Sequence, residues 1–434
     1  MSFFAVMNRR RFLRAGILGV AATAGSCAHR PDGRQSSAAT AVQEAFDREV
    51  TAFMTARGIP GGALAVVKDR RLVYAKGYGW ADREKKIPAT PASLFRIASI
   101  SKPITAVAVL KLVEDKKLSL DARAFDIVRA EPPLKDGRQP DPRLSRITVR
   151  QLLQHTAGWD RDASFDPMFR PKQIAAETGT PSPAGPRAII HYMRGQPLDF
   201  DPGARYAYSN FGYCVLGRII EEISGESYEQ FVREKVLAPV GITRMRLGAT
   251  LDGRQAAGEV RYYTKEPGLT ESVFPEGDRQ VSWPYGGFHL EAMDAHGGWI
   301  ASAVDLARFA AALDDPAHSR LLKPDTLREM YAPPAPPVSR KPDGTLGDAF
   351  YGCGWMVRPH DGSGRANYWH SGSLPGTNTL LVRRWDGLSW AVLFNQRSED
   401  SILPDTAIDP ALHRAAAAVK EWPTEDLFTT HGNI

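Results

Sequence analysis

One stretch of the 434-residue chain decides its fold, namely Phe95-Arg96-Ile97-Ala98-Ser99-Ile100-Ser101-Lys102-Pro103-Ile104-Thr105-Ala106-Val107. Ser99 and Lys102 are three residues apart, so a helix that starts here places both side chains on one face. Pro103 then falls in the first turn, where its missing N–H harms a helix least. A serine hydroxyl needs a base to become a nucleophile, and burial lowers the pKa of a lysine towards that role. The helix N-terminus also offers backbone N–H groups to a developing oxyanion.

A Ser-x-x-Lys pair often occurs by chance, but two further motifs give this one weight. Tyr208-Ser209-Asn210 begins 109 residues after Ser99, and His370-Ser371-Gly372 begins 162 residues after that. The chain has other Lys/His-x-Gly triplets, which begin at Lys135, His296 and His360. We prefer His370 because it alone lies on a strand candidate that is followed by another strand.

The three motifs, in this order, resemble those of the serine β-lactamase and DD-peptidase superfamily. The closest resemblance is to the class C branch and its related esterases. Three more segments are similar to stretches of that family: Ile147–Gly158, Gly297–Phe309 and Tyr351-Gly352-Cys353-Gly354-Trp355. The resemblance covers roughly residues 45–420, which is nearly the whole chain behind its N-terminal segment. It implies an α/β (α+β) fold of the β-lactamase and penicillin-binding-protein type, with a central antiparallel sheet flanked by helices and an inserted, mostly helical lobe.

The resemblance also implies a role for each motif residue. Ser99 would be the nucleophile that forms an acyl-enzyme, and Lys102 and Tyr208 would share its activation. Tyr208 would pass the proton to the leaving group and later activate water. The substrate-binding and oxyanion-hole residues would be Asn210, His370, Gly372 and Ser373, with backbone N–H groups of Ser99 and Ser373 facing the oxyanion.

The proposed base function of Tyr208 needs an explanation, because the reference pKa of a tyrosine is about 10. We expect neighbouring cations, supplied by Lys102 and His370, to lower it. The class A branch of the superfamily uses a glutamate base in a Glu-x-x-x-Asn loop instead. The sequence has no convincing equivalent of that loop, which favours the tyrosine-dependent branch.

Strand patterns occur at both ends of the chain. Residues 61–67 and 71–78 predict a hairpin, and residues 351–357, 379–384 and 389–394 predict three more strands. A helix is expected over residues 42–57, and Asp409-Pro410-Ala411 opens a C-terminal one. We therefore predict one hydrolase domain over residues 42–425, in which both ends of the chain complete one sheet and a helical lobe is inserted at about 105–285.

The N-terminal segment has the features of an export signal over residues 1–28. A basic run from Arg9 to Arg14 resembles a twin-arginine signal, and the apolar stretch 15–26 is too short to span a bilayer. Cys27 resembles a lipoprotein cleavage site and would carry a lipid anchor, but simple cleavage after Ala28 fits equally well. A flexible tether is expected over residues 29–41. These features predict a periplasmic or cell-envelope protein.

Charge and composition exclude several classes of function. The chain is 43% hydrophobic and 24% charged, which is ordinary for a globular protein. Its formal charge is +6, but removal of the four arginines in residues 1–26 leaves +2, so we expect no nucleic-acid partner. The sequence has no Gly-x-Ser-x-Gly elbow and no His-Glu-x-x-His, and we expect neither a metal nor a cofactor. Cys214 and Cys353 are either buried free thiols or a disulfide.

The predicted function is hydrolysis of esters or amides in a small-molecule or peptide substrate, through an acyl-enzyme on Ser99. The alternatives are a DD-carboxypeptidase or D-aminopeptidase that acts on cell-wall peptides, and a penicillin-binding receptor that acylates without turnover. A true β-lactamase is a minor option. A histidine at position 370 matches DD-peptidases and D-amino-acid peptidases better than most β-lactamases, whereas related esterases carry other residues there.

Overall fold

The computed structural model describes residues 33–128, 137–265, 268–277, 279–338, 345, 347–398 and 404–431. The predicted export signal, Cys27 and Lys135 lie outside these ranges, so the export signal and the lipid anchor stay predictions. Within them, no helix is both long enough and apolar enough to cross a membrane.

The strands form one large sheet and two small ones. In chain order they are β1 (Gly61–Lys68), β2 (Arg71–Asp82), β3 (Ile87–Pro88), β4 (Phe95–Arg96), β5 (Arg246–Leu247), β6 (Leu269–Glu271), β7 (Gln280–Ser282), β8 (Trp299–Ala301), β9 (Phe350–Tyr351), β10 (Met356–His360), β11 (Arg365–Leu374), β12 (Thr377–Arg383) and β13 (Leu388–Phe394). Among the described residues, eight strands make an antiparallel sheet in the order β3-β2-β1-β13-β12-β11-β10-β9. The small sheets are β4-β8-β5 and β6-β7.

Both ends of the chain complete the large sheet, as predicted. The hairpin of β1 and β2 turns through Asp69 and Arg70, whose φ angles of 49° and 66° suit a two-residue turn that follows the strand twist. β1 then pairs with β13 in antiparallel register, from Gly62 opposite Phe394 to Lys68 opposite Leu388. The N-terminal and C-terminal strands are thus neighbours in the sheet, and the described elements from β4 to the helix at Pro324–Met330 come between them along the chain.

The helices pack on both faces of the sheet and fill the middle of the chain. They are α1 (Gly33–Arg57), α2 (Ser101–Glu114), α3 (Ala124–Ile127), α4 (Val149–Leu153), α5 (Pro171–Thr178), α6 (Pro186–Arg194), α7 (Asn210–Ser224), α8 (Tyr228–Val232), α9 (Asp294–Gly297), α10 (Ala303–Ala311), α11 (Pro324–Met330), α12 (Ile408–Ala418) and α13 (Phe428–His431). The predicted fold class, a central antiparallel sheet flanked by helices with a mostly helical insertion, is confirmed.

The alternation of side chains along a strand divides the core into two clusters. In β1, Leu64 and Val66 point to one face, where they pack with α1 and α12. Ala63, Ala65 and Val67 point to the other face, where the larger cluster includes α2, α7 and α10. Because α2 is buried on nearly all sides, the residues in its first turn are held rigidly inside the protein.

Two boundaries differ from those predicted. Residues 33–41, expected to be a tether, belong to α1, because Ala38 continues the apolar stripe of Val42 one turn earlier and is itself buried. The expected strand 351–357 is interrupted between β9 and β10. Gly354 has a φ of 83° there, and a Cβ on it would lie 2.6 Å from that of Ala106 in α2. The interruption therefore lets the chain approach α2 closely.

A second close approach, at Gly372, joins β11 to the turn that carries Ser99. A Cβ at position 372 would lie 2.3 Å from the carbonyl oxygen of Ile97 and 2.3 Å from Thr379 Oγ1. Thr379 Oγ1 also donates a hydrogen bond of 3.0 Å to that Ile97 oxygen. Only a glycine allows the strand to contact the turn at this distance.

We expect Gly372→Ala to destabilise the protein by about 1–3 kcal/mol, because the added methyl group forces β11 away from the turn. Urea unfolding measures this change. Gly185→Ala is the matched control, since no heavy atom lies within 4 Å of the added Cβ there, and it should change stability by less than about 1 kcal/mol. Equal effects of the two substitutions would contradict the assignment of this contact.

Candidate active site

Ser99 lies in a 3-10 turn, Ala98–Ile100, directly before α2. Ala98 has a φ of 47°, in the left-handed region that a residue with a Cβ rarely adopts. The side chain of Ser99 remains partly exposed although its chain neighbours are buried. The strained residue Ala98 thus directly precedes the serine whose side chain is partly exposed.

Lys102 is fully buried in the first turn of α2 and faces Ser99, as the spacing predicts. Its Nζ lies 3.1 Å from Ser99 Oγ, 2.8 Å from Asn210 Oδ1 and 2.9 Å from the carbonyl oxygen of His296. Burial lowers the pKa of Lys102 well below the usual value of a lysine, and the charge of Asp166 offsets part of that change. A neutral amine in this place has two N–H groups for Asn210 and His296 and a lone pair for the Ser99 hydroxyl.

Tyr208, just before the start of α7, is the third member of the group formed by Ser99 and Lys102. Its hydroxyl is hydrogen-bonded to Ser99, and Lys102 Nζ lies 4.8 Å from the centre of its ring. The expectation that cations lower its pKa is wrong: burial dominates and raises the pKa of Tyr208 above 10. The side chain is therefore a protonated phenol before substrate binds, and it donates a proton rather than accepting one.

The Tyr-x-Asn motif is placed by the start of α7 and by His155. Ser209 Oγ accepts from Gly212 N at 3.2 Å and caps the helix, so the motif residues on either side of it flank the helix start. His155 Nδ1 accepts from Ser209 N at 3.2 Å, and its ring packs 4.4 Å from that of Tyr208. His155 thus holds the motif in position from the side opposite the substrate-facing groups.

Asp166 is a site residue that the sequence analysis missed. Its Oδ2 accepts from Asn210 Nδ2 at 2.6 Å, and its Oδ1 accepts from Met168 N at 3.1 Å. The first bond orients the amide of Asn210 so that Oδ1 faces Lys102. In the sequence, Asp166 before Pro167 indicates only the cap of a short turn, which is the role of its other oxygen.

His370 lies at the site but is not the expected cation. Tyr351 donates to its Nε2 at 2.9 Å, and its Nδ1 donates to the carbonyl oxygen of Ser371 at 2.7 Å. Burial lowers the pKa of His370 to about 3. Both ring nitrogens are therefore engaged and the ring is neutral. The Ser371 carbonyl, which can only accept, sets the tautomer of this histidine, and Tyr351, which the sequence analysis treated only as part of a strand, donates to the other nitrogen.

The remaining predicted residues, Gly372 and Ser373, lie on β11, whereas His296 and His360 are the histidines not chosen for the third motif. Gly372 brings the strand against Ile97, so the exposed Ser373 follows next to the Ser99 turn, and its oxyanion role stays a prediction. His296 contributes its carbonyl oxygen to Lys102, whereas His360 is half-exposed and stacks on Trp385.

The open question about the two cysteines is answered by the structure. Cys214 and Cys353 are free and buried, and burial raises the pKa of each thiol to about 12. Within the described ranges, no group of His, Cys, Asp and Glu side chains is arranged to hold a metal ion.

Comparison with known proteins shows the family to which this chain belongs. The family model described as "Beta-lactamase" matches residues 46–413. The chain belongs to the beta-lactamase family. The predicted superfamily is therefore confirmed, and the predicted class of protein, a serine hydrolase related to β-lactamases, agrees with it.

Three proteins that are similar to this chain are described here by their identity and coverage. A probable fimbrial assembly protein, FimD of Dichelobacter nodosus, is 30% identical over 308 residues, which span 69% of this chain and 66% of that protein. The octameric penicillin-binding protein homologue from Pyrococcus abyssi is 26% identical with a TM-score of 0.63, covering 87% of this chain and 78% of its own. The D-amino acid amidase from Ochrobactrum anthropi shares the fold, with a TM-score of 0.64, 23% identity, and coverage of 88% and 99%.

The buried neutral histidine predicts how stability depends on pH. The folded pKa of His370 lies near 3, below the value of about 6.5 expected in the unfolded chain. Below pH 6.5 the unfolded state binds a proton that the folded state refuses, so the stability contributed by this group is lost as the pH falls towards 3. The loss approaches about 1.4 kcal/mol per pH unit.

Urea unfolding at pH 7, 6 and 5 measures this dependence. In His370→Gln the fall in unfolding free energy from pH 6 to 5 should be smaller than in the unmodified protein by up to about 1.4 kcal/mol. Ser371→Ala is the control, because it removes an exposed, uncharged hydroxyl next to His370 and should leave the slope unchanged. The same slope in all three proteins would show that His370 titrates normally in the folded state.

Proposed function

We propose that the protein cleaves ester or amide bonds through an acyl-enzyme formed on Ser99. The observation that carries this proposal is the contact of 3.1 Å between the buried Lys102 Nζ and the partly exposed Ser99 Oγ. A buried, neutral amine in hydrogen-bond contact with a serine hydroxyl is an arrangement that turns the hydroxyl into a nucleophile.

Acylation begins when Ser99 Oγ attacks the substrate carbonyl carbon and its proton passes to Lys102 Nζ. The ammonium that forms keeps its bonds to Asn210 Oδ1 and to the His296 carbonyl. The negative charge of Asp166 lies behind Asn210 and favours this protonated state. Backbone N–H groups of Ser99 and Ser373 are the candidates to hold the oxyanion.

Collapse of the tetrahedral intermediate breaks the bond to the leaving group, which must take up a proton. Tyr208 is a protonated phenol in contact with Ser99, so it donates that proton, and the Lys102 ammonium replaces it. A water molecule then attacks the acyl carbon, gives its proton back through the same pair of residues and releases Ser99. Lysine and tyrosine thus both end the cycle as they began it.

The second candidate is hydrolysis of D-amino acid amides or of peptides that end in D-alanine. Two observations favour it: position 370 is a histidine, as in DD-peptidases, and the fold is shared with a D-amino acid amidase. A penicillin-binding receptor without turnover is less favoured, because the neutral Lys102, with Tyr208 beside it, can take a proton from water in the second step.

We expect Ser99→Ala to lower hydrolysis of the preferred substrate at least about 10³-fold, because the nucleophile is lost. The substrates to compare are p-nitrophenyl butyrate, D-phenylalanine amide, an acyl-D-alanyl-D-alanine and nitrocefin, with labelling by a fluorescent penicillin measured in parallel. Ser371→Ala is the control; that exposed hydroxyl lies on the same strand as His370, and activity should stay within about threefold.

Each candidate function predicts a different result in this comparison of substrates. Ser99-dependent turnover of the ester supports the first candidate, and turnover restricted to the D-amino acid substrates supports the second. Stable penicillin labelling without any turnover would support the receptor. Full activity of Ser99→Ala on every substrate would overturn the mechanism.

Removal of the Asp166 charge should change how kcat/KM depends on pH. Protonation of Lys102 sets the acid limb of kcat/KM, because only the neutral amine accepts the Ser99 proton. The carboxylate of Asp166 raises the pKa of Lys102, so Asp166→Asn should lower that pKa and move the acid limb to lower pH. A pH profile of ester hydrolysis measures the shift. Asp162→Asn, which removes a highly exposed charge nearby, should leave the limb in place, and a shift towards higher pH in Asp166→Asn would contradict this network.

A further inference from the structure

A cavity of about 650 Å³ lies at the β9 edge of the large sheet. Its wall comes from α11 and the loop before it, from β9 to β12, and from the turn after β12. Ala366 and Tyr368 line the cavity from β11, and His370 of the candidate active site follows on the same face of that strand. Ser99 and Lys102 are not among the described residues of the wall. The cavity is therefore separate from the candidate active site, and its size suits a small molecule.

Aromatic rings give part of this wall an apolar surface. Four such side chains line the cavity, namely Tyr331, Phe350, Tyr368 and Trp385. The ring centres of Tyr331 and Tyr368 lie 4.1 Å apart, and Trp385 is 37% exposed. Ring faces around a cavity favour a ligand with flat apolar rings, because stacking removes both surfaces from water.

The same wall carries more positive than negative charge. Asp314 is the one acidic side chain in its described part, and it is bonded to Arg383 Nε at 2.8 Å, so that pair is neutral. Three more arginines line the cavity, namely Arg328, Arg365 and Arg384. Each of them pairs with a carboxylate that lies outside the wall, namely Asp325, Asp361 and Asp386 respectively. The cavity thus faces the positive side of three ion pairs, which attracts an anion.

Arg365 combines both properties of the wall. Its Cζ lies 4.3 Å from the ring centre of Trp385. Its Nε donates to Ser363 Oγ at 2.8 Å and its Nη2 donates to Asp361, whereas its Nη1 has no acceptor in the described part of the chain. A cationic donor is therefore available beside an aromatic surface.

We propose that this cavity binds a small aromatic acid, with its rings against Tyr368, Phe350 and Trp385 and its acidic group at Arg365. The rings gain from burial, and the acidic group gains a charge-assisted hydrogen bond. A cationic ligand would face like charges instead. The assignment goes beyond the proposed function, because the cavity binds its ligand without Ser99 or Lys102.

Two fluorescent probes that differ by one acidic group test the assignment. The first, 1-anilinonaphthalene-8-sulfonate, joins aromatic rings to a sulfonate, and its fluorescence rises when it leaves water. The second, N-phenyl-1-naphthylamine, has the same rings and no sulfonate. Fluorescence titration of the full chain should show saturable binding of the sulfonate probe, and failure to bind it overturns the assignment.

Two substitutions in the wall separate the contributions of space and charge. Ala366→Phe fills the cavity from β11 and should weaken both probes at least about tenfold. Arg365→Gln should weaken the sulfonate probe about tenfold and change the uncharged probe by less than about twofold, because only the anion loses a charge-assisted hydrogen bond. Urea unfolding checks that both variants fold, and Arg365→Gln carries the test if Ala366→Phe does not.

Matched controls make the result specific to this cavity. Ala238→Phe adds the same ring at an exposed alanine that lines a different cavity, and Arg48→Gln removes the same charge from an exposed position on α1. Both should bind the two probes as the unmodified protein does.

Three results would overturn the assignment. A folded Ala366→Phe that keeps both affinities would place the probes elsewhere on the protein. Equal losses of both probes in Arg365→Gln would show that the arginine only maintains the shape of the cavity. A loss of the sulfonate probe that is as large in Arg48→Gln as in Arg365→Gln would show an effect of net charge alone.

Discussion

The buried amine of Lys102 is the group on which the rest of the site depends. An ammonium in this position would lose its water shell, and neither of its two closest partners besides Ser99 is charged, since one is an amide and the other a carbonyl. The protein therefore stabilises the neutral amine, which is the form that can accept a proton. The same burial that makes α2 a rigid core helix creates the base.

The partners of this amine come from segments far apart in the sequence, and each is fixed by the packing of its own element. α7 supplies Asn210 from its first turn, and α9 supplies the carbonyl oxygen of His296 from its C-terminal end. Thr105 Oγ1 donates to the Ala295 carbonyl at 2.6 Å, which locks α9 against α2. On the opposite side, Gly372 holds β11 against the Ser99 turn. The site is therefore the seam between the large sheet and the helical insertion.

Much of this could be predicted from the sequence, because the motifs and the strand patterns are local signals. The hairpin of β1 and β2 and the strand that carries His370 follow from residue types at short spacing, whereas the pairing of β1 with β13 joins the two ends of the chain and is only suggested by strand patterns at both ends. Asp166 and Tyr351 could not be found in this way, since each contacts its partner only after distant segments have packed together. The protonation states could not be predicted from the sequence either. The sequence suggests cations near Tyr208, but burial, which is a property of the fold, raises the pKa of the phenol so that it keeps its proton.

The neutral state of these groups shapes the chemistry that the site supports. The lysine, the tyrosine and the histidine at its centre all favour their uncharged forms, so the separation of charge begins with the reaction itself. When Ser99 attacks, an oxyanion and an ammonium form together within a few ångströms, and their attraction in a poorly solvated site favours the transition state over the resting state. Asp166 adds to this preference for the transition state. Asn210 holds its carboxylate in place, and the attraction between that charge and Lys102 is strongest once the lysine is protonated.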